Sequence, residues 1–154
     1  MSQMTDELAI RKSIAVGCPP ERAFRVFTEG MGAWWPFARG HSIFGVAAET
    51  VVVEGRLRGR VYERARDGEE AAWGTVTAWD PPRRFAMTWH PGRGEETAQE
   101  LEVSFAADGE GTRVELVHTG WDRLGADMDE VMASYEGGWD TVLATYAAAA
   151  GKET

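Results

Sequence analysis

The sequence predicts an α+β fold: a curled antiparallel sheet of seven strands with a long C-terminal helix lying against it. Three observations predict it. From Asp127 to Ala150, the residues Met128, Val131, Met132, Tyr135, Trp139, Val142, Leu143 and Tyr146 recur at three- and four-residue steps, which puts them on one stripe of an amphipathic helix. Upstream, most of the chain to Thr119 alternates apolar and polar residues, the period of half-buried strands. Short turn signals such as Asp67-Gly68 and Pro91-Gly92 separate these runs, and strands joined by short turns pair antiparallel. A helical stripe this broad and aromatic needs a wide apolar partner, and a single sheet of this size must twist and curl to provide it.

In order along the chain, Met1 to Asp6 is polar and reads as a frayed end. Glu7 to Val16 carries Leu8, Ile10, Ile14 and Val16 at even steps and reads as the first strand. Cys18-Pro19-Pro20 ends it, because proline cannot continue a ladder. Proline is tolerated early in a helix, so a short helix follows with Ala23, Phe24, Val26 and Phe27 as its apolar face. Met31 to Trp35 reads as a second short helical turn stopped by Pro36, and Phe37 to Ala48 as a loop. Six strands come next. They are Thr50 to Glu54, Arg56 to Arg64, Ala71 to Trp79, Phe85 to Trp89, a strand around Leu101, Val103 and Phe105, and one around Val114, Leu116 and His118. In the third of these six, Trp73, Thr75, Thr77 and Trp79 share a parity. Asp127 followed by Glu130 is a capping-box-like start to the final helix, and Gly151 is its stop. Gly137-Gly138 interrupts that helix, where each glycine costs about 1 kcal/mol relative to alanine. The pair reads as a notch for a ligand beside Trp139, as close packing against the sheet, or as a kink.

A chain of 154 residues with 44% apolar content suits one domain spanning 1–154. Seven tryptophans imply bulky aromatic packing, an aromatic-lined cavity, or both. A net charge of −9 argues against nucleic acid and anionic membrane surfaces as partners. With one cysteine, Cys18, no intramolecular disulfide can form, which fits a reducing, cytoplasmic location. No signal-peptide pattern opens the sequence, and no run approaches the roughly eighteen apolar residues of a membrane span.

The order of elements resembles a known family. So do the segment Pro19-Pro20-Glu21-Arg22-Ala23-Phe24, the pair Trp34-Trp35 before Pro36, and Asp80-Pro81-Pro82-Arg83-Arg84-Phe85 leading to Thr88-Trp89. Gly111-Thr112-Arg113 and Gly138-Trp139 complete the likeness. From about Ile10 to Ala149 the chain resembles the START-like, Bet v 1-like (SRPBCC) superfamily, in the branch named after the activator of the Hsp90 ATPase. That resemblance implies a helix-grip fold, a seven-stranded antiparallel sheet wrapped around the C-terminal helix, with an apolar cavity between them. Relatives carry lipids, hormones and polyketides in that cavity, or catalyse cyclisation and dehydration there. It transfers shape far better than chemistry.

Candidate site residues follow from composition and position. Trp73, Met87, Trp89, Tyr135 and Trp139 are expected on the cavity wall, with Trp34, Trp35 and Phe37 near its mouth. Large apolar residues mostly pack one another, so any one of these reads first as core, while the set together reads as a cavity lining because the fold it resembles usually has one. His41, in the loop after the tryptophan pair, is a candidate proton carrier or hydrogen-bond donor. Glu54 and Tyr62, on neighbouring strands, would place a carboxylate and a phenol in the cavity, unless Glu54 sits at the rim paired with Arg56, Arg58 or Arg60. His90 reads as solvated, His118 as a hydrogen-bonded core residue, and Cys18 as a structural thiol. The arginine-rich run Arg56 to Arg66 alternates with Glu54 and Glu63 and reads as a salt-bridged, exposed strand. No metal-ligand spacing, nucleophile elbow, P-loop or dinucleotide fingerprint is present, so neither a metal nor a cofactor is expected.

Three functions remain. The first is a module that binds a small, largely apolar or aromatic molecule between helix and sheet. The second is a cyclase- or dehydratase-type enzyme using the same cavity, with His41 or Glu54 moving protons. The third is a chaperone-activator-like interaction module. A second copy of the chain and a chaperone stay open as partners.

Overall fold

The computed structural model describes residues 9–36 and 43–151. Seven strands occur there: β1 (Ile10–Val16), β2 (Ala48–Val53), β3 (Arg60–Ala65), β4 (Glu70–Asp80), β5 (Arg84–Trp89), β6 (Gln99–Asp108) and β7 (Gly111–Thr119). They form one antiparallel sheet in the order β1-β7-β6-β5-β4-β3-β2. Helix α1 (Pro20–Phe27) and the long helix α2 (Met128–Ala150) lie against its inner face. This is the helix-grip fold. Among the described residues no helix is long and apolar enough to cross a membrane.

Alternation builds the inner face. Thr112, Val114, Leu116 and His118 of β7 are buried, as are Gln99, Leu101, Val103 and Phe105 of β6 and Phe85, Met87 and Trp89 of β5. Helix α1 starts on Pro20, buries Ala23, Phe24 and Phe27, and is tied to the end of α2. The Tyr146 hydroxyl donates to Ala23 O at 2.8 Å, and Arg22 Nε donates to Ala150 O at 3.0 Å. Met31–Ala33 forms a 3₁₀ turn against the outer strand β2. The approach is so close that a Cβ on Gly32 would sit 1.9 Å from Thr50 Oγ1.

Strand β4 departs from the expected alternation. Its inward residues are Trp73, Val76 and Trp79, three apart, whereas Thr77 is exposed. The ladder skips Trp73 against β3 and Thr77 against β5, so two bulges each add one residue. Bulges bend a strand and raise its twist, and these two curl the sheet where β3 and β2 turn away from β5. The first leaves no room for a side chain at Gly74, where a Cβ would lie 1.8 Å from Thr88 O.

Other boundaries shift for local reasons. The strand expected from Arg56 begins at Arg60, because Glu54 to Gly59 makes the β2–β3 connection, with Arg58 left-handed at φ 69°. Asp127 does not cap α2: its side chain makes no cap hydrogen bond and pairs with Arg93 at 3.2 Å instead. A 3₁₀ segment, Trp121–Asp127, leads into α2 and buries Trp121 and Leu124. Helix α2 runs unbroken through Gly137-Gly138, so the pair makes no helix break.

Candidate functional site

A pocket of about 440 Å³ lies between the first half of α2 and the ends of β4 and β5. Its floor is aromatic. Trp35, Trp73, Trp89 and Trp139 meet with ring centroids 4.8 Å apart for Trp35–Trp73, 5.4 Å for Trp73–Trp89 and 5.2 Å for Trp89–Trp139. These separations suit edge-to-face and tilted aromatic pairs. Helix α2 supplies one wall through Ser134, Gly138 and Val142, a single row at four-residue spacing, with Tyr135 beside it. Ile43 and the Pro91-Gly92 turn form the rim. Trp73, Trp89 and Trp139 are each 2% exposed or less, so the open surface belongs mostly to the rim, Ser134, Tyr135 and Gly138. A guest would lie over the indoles rather than between them.

Two polar networks hold this floor. Indole N–H groups only donate, which fixes the direction of both. In the first, Trp139 Nε1 donates to His118 Nδ1 at 3.0 Å, so the imidazole hydrogen is on Nε2, which faces Gln99 Oε1 at 3.2 Å. Gln99 in turn donates to Thr97 O. His118 is fully buried, with Trp121 stacked on it at 3.9 Å, and burial drives its pKa from 6.5 down to about 3. It is a neutral acceptor that orients Trp139, not a proton carrier. In the second network, Trp89 Nε1 donates to the Tyr135 hydroxyl at 2.9 Å. Burial pushes that phenol up, against weaker opposition from the Trp89 hydrogen bond and Arg93, so the phenol stays protonated.

Glu63 of β3 is the residue that sequence reasoning misplaced. It is fully buried rather than part of an exposed salt-bridged strand. Its Oε1 accepts from Ile43 N at 2.9 Å and Trp73 Nε1 at 3.2 Å, and its Oε2 accepts from Phe44 N at 3.0 Å. One carboxylate thus links the pocket rim to the pocket floor. Its parity with the buried Val61 and Ala65 was the available signal.

The remaining candidates scatter. Trp35, Trp73, Trp89, Tyr135 and Trp139 come together at the pocket, while Met87 is buried in the core without lining it. Trp34 packs on Phe27 and Tyr146 at the other end of α2 and donates to Val26 O at 2.7 Å. Phe37 and His41 lie outside the described residues. Glu54 is not in the pocket. It sits at the β2–β3 connection, where the Arg60 backbone N–H and the Arg60 and Arg56 guanidinium groups hold its carboxyl below the usual range. Tyr62 also misses the pocket, its ring lying under the Arg60 guanidinium at 4.4 Å. His90 is buried rather than solvated, its Nδ1 3.1 Å from Arg93 O. Of the glycine pair, Gly138 lines the pocket and Gly137 is exposed, with nothing within 4 Å of where a Cβ would lie. The arginines around β3 do pair with carboxylates: Arg60 with Glu54 and Glu70, and Arg64 with Glu49.

Comparison with known proteins gives this architecture a family. The profile described as Activator of Hsp90 ATPase homolog 1-like protein matches residues 17–151, and the chain belongs to that family, within the START-like superfamily. No curated protein matches the chain by sequence. Among solved structures, it is similar to Txn09, an anthrahydroquino-gamma-pyrone synthase solved as a complex with SUM. The two share 35% identity over 80% of this chain and 83% of that one, with a TM-score of 0.58. It is also similar to CalC, a self-sacrificing resistance protein from Micromonospora echinospora, at 28% identity, covering 92% and 93% of the two chains, with a TM-score of 0.70. The Aha1 dimer from Colwellia psychrerythraea shares the fold, at 16% identity, covering 93% and 96%, with a TM-score of 0.68.

Proposed function

We propose that this protein binds a small, largely apolar aromatic molecule in the pocket between α2 and strands β4 and β5. The observation that carries the reading is the row Ser134, Gly138 and Val142, small or short side chains that line a pocket together with the indoles of Trp35, Trp73, Trp89 and Trp139. Apolar concavities with a few polar groups are the usual form of small-molecule sites. Among the described residues, the carboxylate and the imidazole nearest the floor are committed elsewhere: Glu63 accepts from Ile43 N, Phe44 N and Trp73 Nε1, and His118 is sealed beneath Trp139 and Trp121. That favours holding a molecule over transforming it.

Titration of tryptophan fluorescence with a panel of two- and three-ring aromatics tests the proposal, alongside native mass spectrometry of freshly purified protein. Saturable quenching or a retained small molecule is the expected result. A flat response across the panel with no retained mass would overturn it.

A cyclase-type enzyme is the second reading, favoured by the 35% identity to a gamma-pyrone synthase. Tyr135, protonated and at the pocket, is the described residue best suited to donate a proton there. Turnover of a polyketide-type precursor, lost in Tyr135→Phe while binding persists, would establish it.

A further inference from the structure

We infer that the pocket selects planar aromatics bearing a ring-conjugated carbonyl oxygen, received by the hydroxyl of Tyr135. This rests on the pocket-binding reading and narrows its ligand class.

Trp89 Nε1 lies 2.9 Å from the Tyr135 oxygen, and an indole nitrogen has only a hydrogen to offer. The phenol oxygen therefore accepts, and its own hydrogen is left over. Among the described residues no hydrogen bond takes that hydrogen up. The phenol remains a donor at ordinary pH, because burial disfavours the phenolate. Accepting from Trp89 also polarises the O–H bond and strengthens what it donates.

The other polar groups at the pocket bias it the same way. Glu63, the buried acceptor behind the floor, already receives Trp73 Nε1 and two backbone N–H groups. The Trp139 N–H is aimed at His118, away from a guest. A guest carrying its own N–H or O–H would find only the Ser134 and Tyr135 oxygens as side-chain acceptors on the described lining. A guest carrying an acceptor meets a prepared donor. A conjugated carbonyl keeps its lone pairs in the ring plane, so a flat molecule lying over the indole floor presents that oxygen edgewise to the helix wall where Tyr135 stands.

Xanthone and xanthene share one tricyclic frame and differ at the carbonyl, which makes them a matched pair of probes. Their affinities are to be measured by tryptophan fluorescence for the wild type and for Tyr135→Phe. Xanthone is expected to bind the wild type about three- to tenfold more tightly than xanthene, the scale of one neutral hydrogen bond. In Tyr135→Phe the ratio of the two affinities is expected to fall to about one, whatever the variant does to the affinity of either compound alone. Equal affinities in the wild type, or a preference that survives the substitution, would overturn the inference while leaving the pocket reading intact. Binding of neither compound would overturn this inference, and the pocket reading falls with it when the wider panel and native mass spectrometry are blank as well. The carbonyl stretch of bound xanthone gives a second readout on wild-type protein alone. A shift to lower frequency relative to hydrocarbon solvent is expected, and an unshifted band would count against the donor whatever the variant's folding.

Discussion

The two halves of α2 face equally aromatic surroundings, yet only one is filled. Toward the C-terminus Tyr146 is fully buried, 5.0 Å from Phe27 and 5.3 Å from Trp34, and α1 covers it and accepts its hydroxyl hydrogen. Toward the N-terminus Ser134 and Gly138 replace such side chains, α1 does not reach, and the four indoles are left with the pocket above them. Apolar content does not separate the halves. The size of the side chains along one row of the helix does, together with what α1 covers. A pocket in this fold is a local subtraction from a core that is otherwise close-packed.

The closed half should be the stability anchor. Phe27 is fully buried against Trp34, Phe85, Phe105 and Tyr146. Phe27→Ala is expected to cost about 3–5 kcal/mol in urea unfolding, the largest effect considered, because nothing in that cluster can collapse to fill the space. A loss under about 1 kcal/mol would mean that the closed half is looser than its geometry.

In the open half the first test is Glu63→Gln. The amide would turn an NH₂ toward at least one of the three N–H groups that now share the carboxylate, leaving that donor unsatisfied in a buried place. The expected cost is about 1–3 kcal/mol, with altered tryptophan fluorescence because the group that holds Trp73 Nε1 changes from a carboxylate to a neutral amide. Unchanged stability and emission would show that the rim and the floor are held by other contacts.

The pH dependence of stability probes the layer beneath the floor. His118 protonates only near pH 3 in the folded chain and near 6.5 when unfolded. Between those values the unfolded chain binds the extra proton, so stability is lost as pH falls below 6.5, by about 1.4 kcal/mol per unit. From pH 6.5 to 5, where carboxylates remain largely ionised, the expected loss is about 2 kcal/mol. Urea midpoints across that range measure it, and His118→Gln should flatten the slope. A wild-type slope near zero would mean that water reaches the imidazole.

What the sequence conveyed and what it hid follow from the same physics. The α2 stripe was legible because a helix repeats its face regularly, and Tyr135 and Trp139 fell where the spacing put them. Seven strands and their antiparallel pairing were legible from alternation and turns. The inward face of β4 was not, since each bulge shifts the parity and Thr75 and Thr77 left the face that Trp73 and Trp79 kept. Glu63 was hidden by its arginine neighbours: charge argued for solvent, while parity with Val61 and Ala65 argued for the interior, and three N–H donors decided it. Trp121 was overlooked because the 3₁₀ segment it opens has no period to read.

The smallest expected effect makes the sharpest comparison, because it sets two adjacent glycines against each other. Gly137 and Gly138 both lie inside α2, so replacing either with alanine should stabilise the helix by up to about 1 kcal/mol. A methyl at 137 points into open space. A methyl at 138 enters the wall between Ser134 and Val142. Gly137→Ala should therefore melt slightly higher than the wild type and bind a flat aromatic probe equally well, whereas Gly138→Ala should weaken binding of that probe. If the two variants bind alike, side-chain size along that row does not control access. The pocket would then owe its shape to the rim at Ile43 and Pro91-Gly92 rather than to the helix.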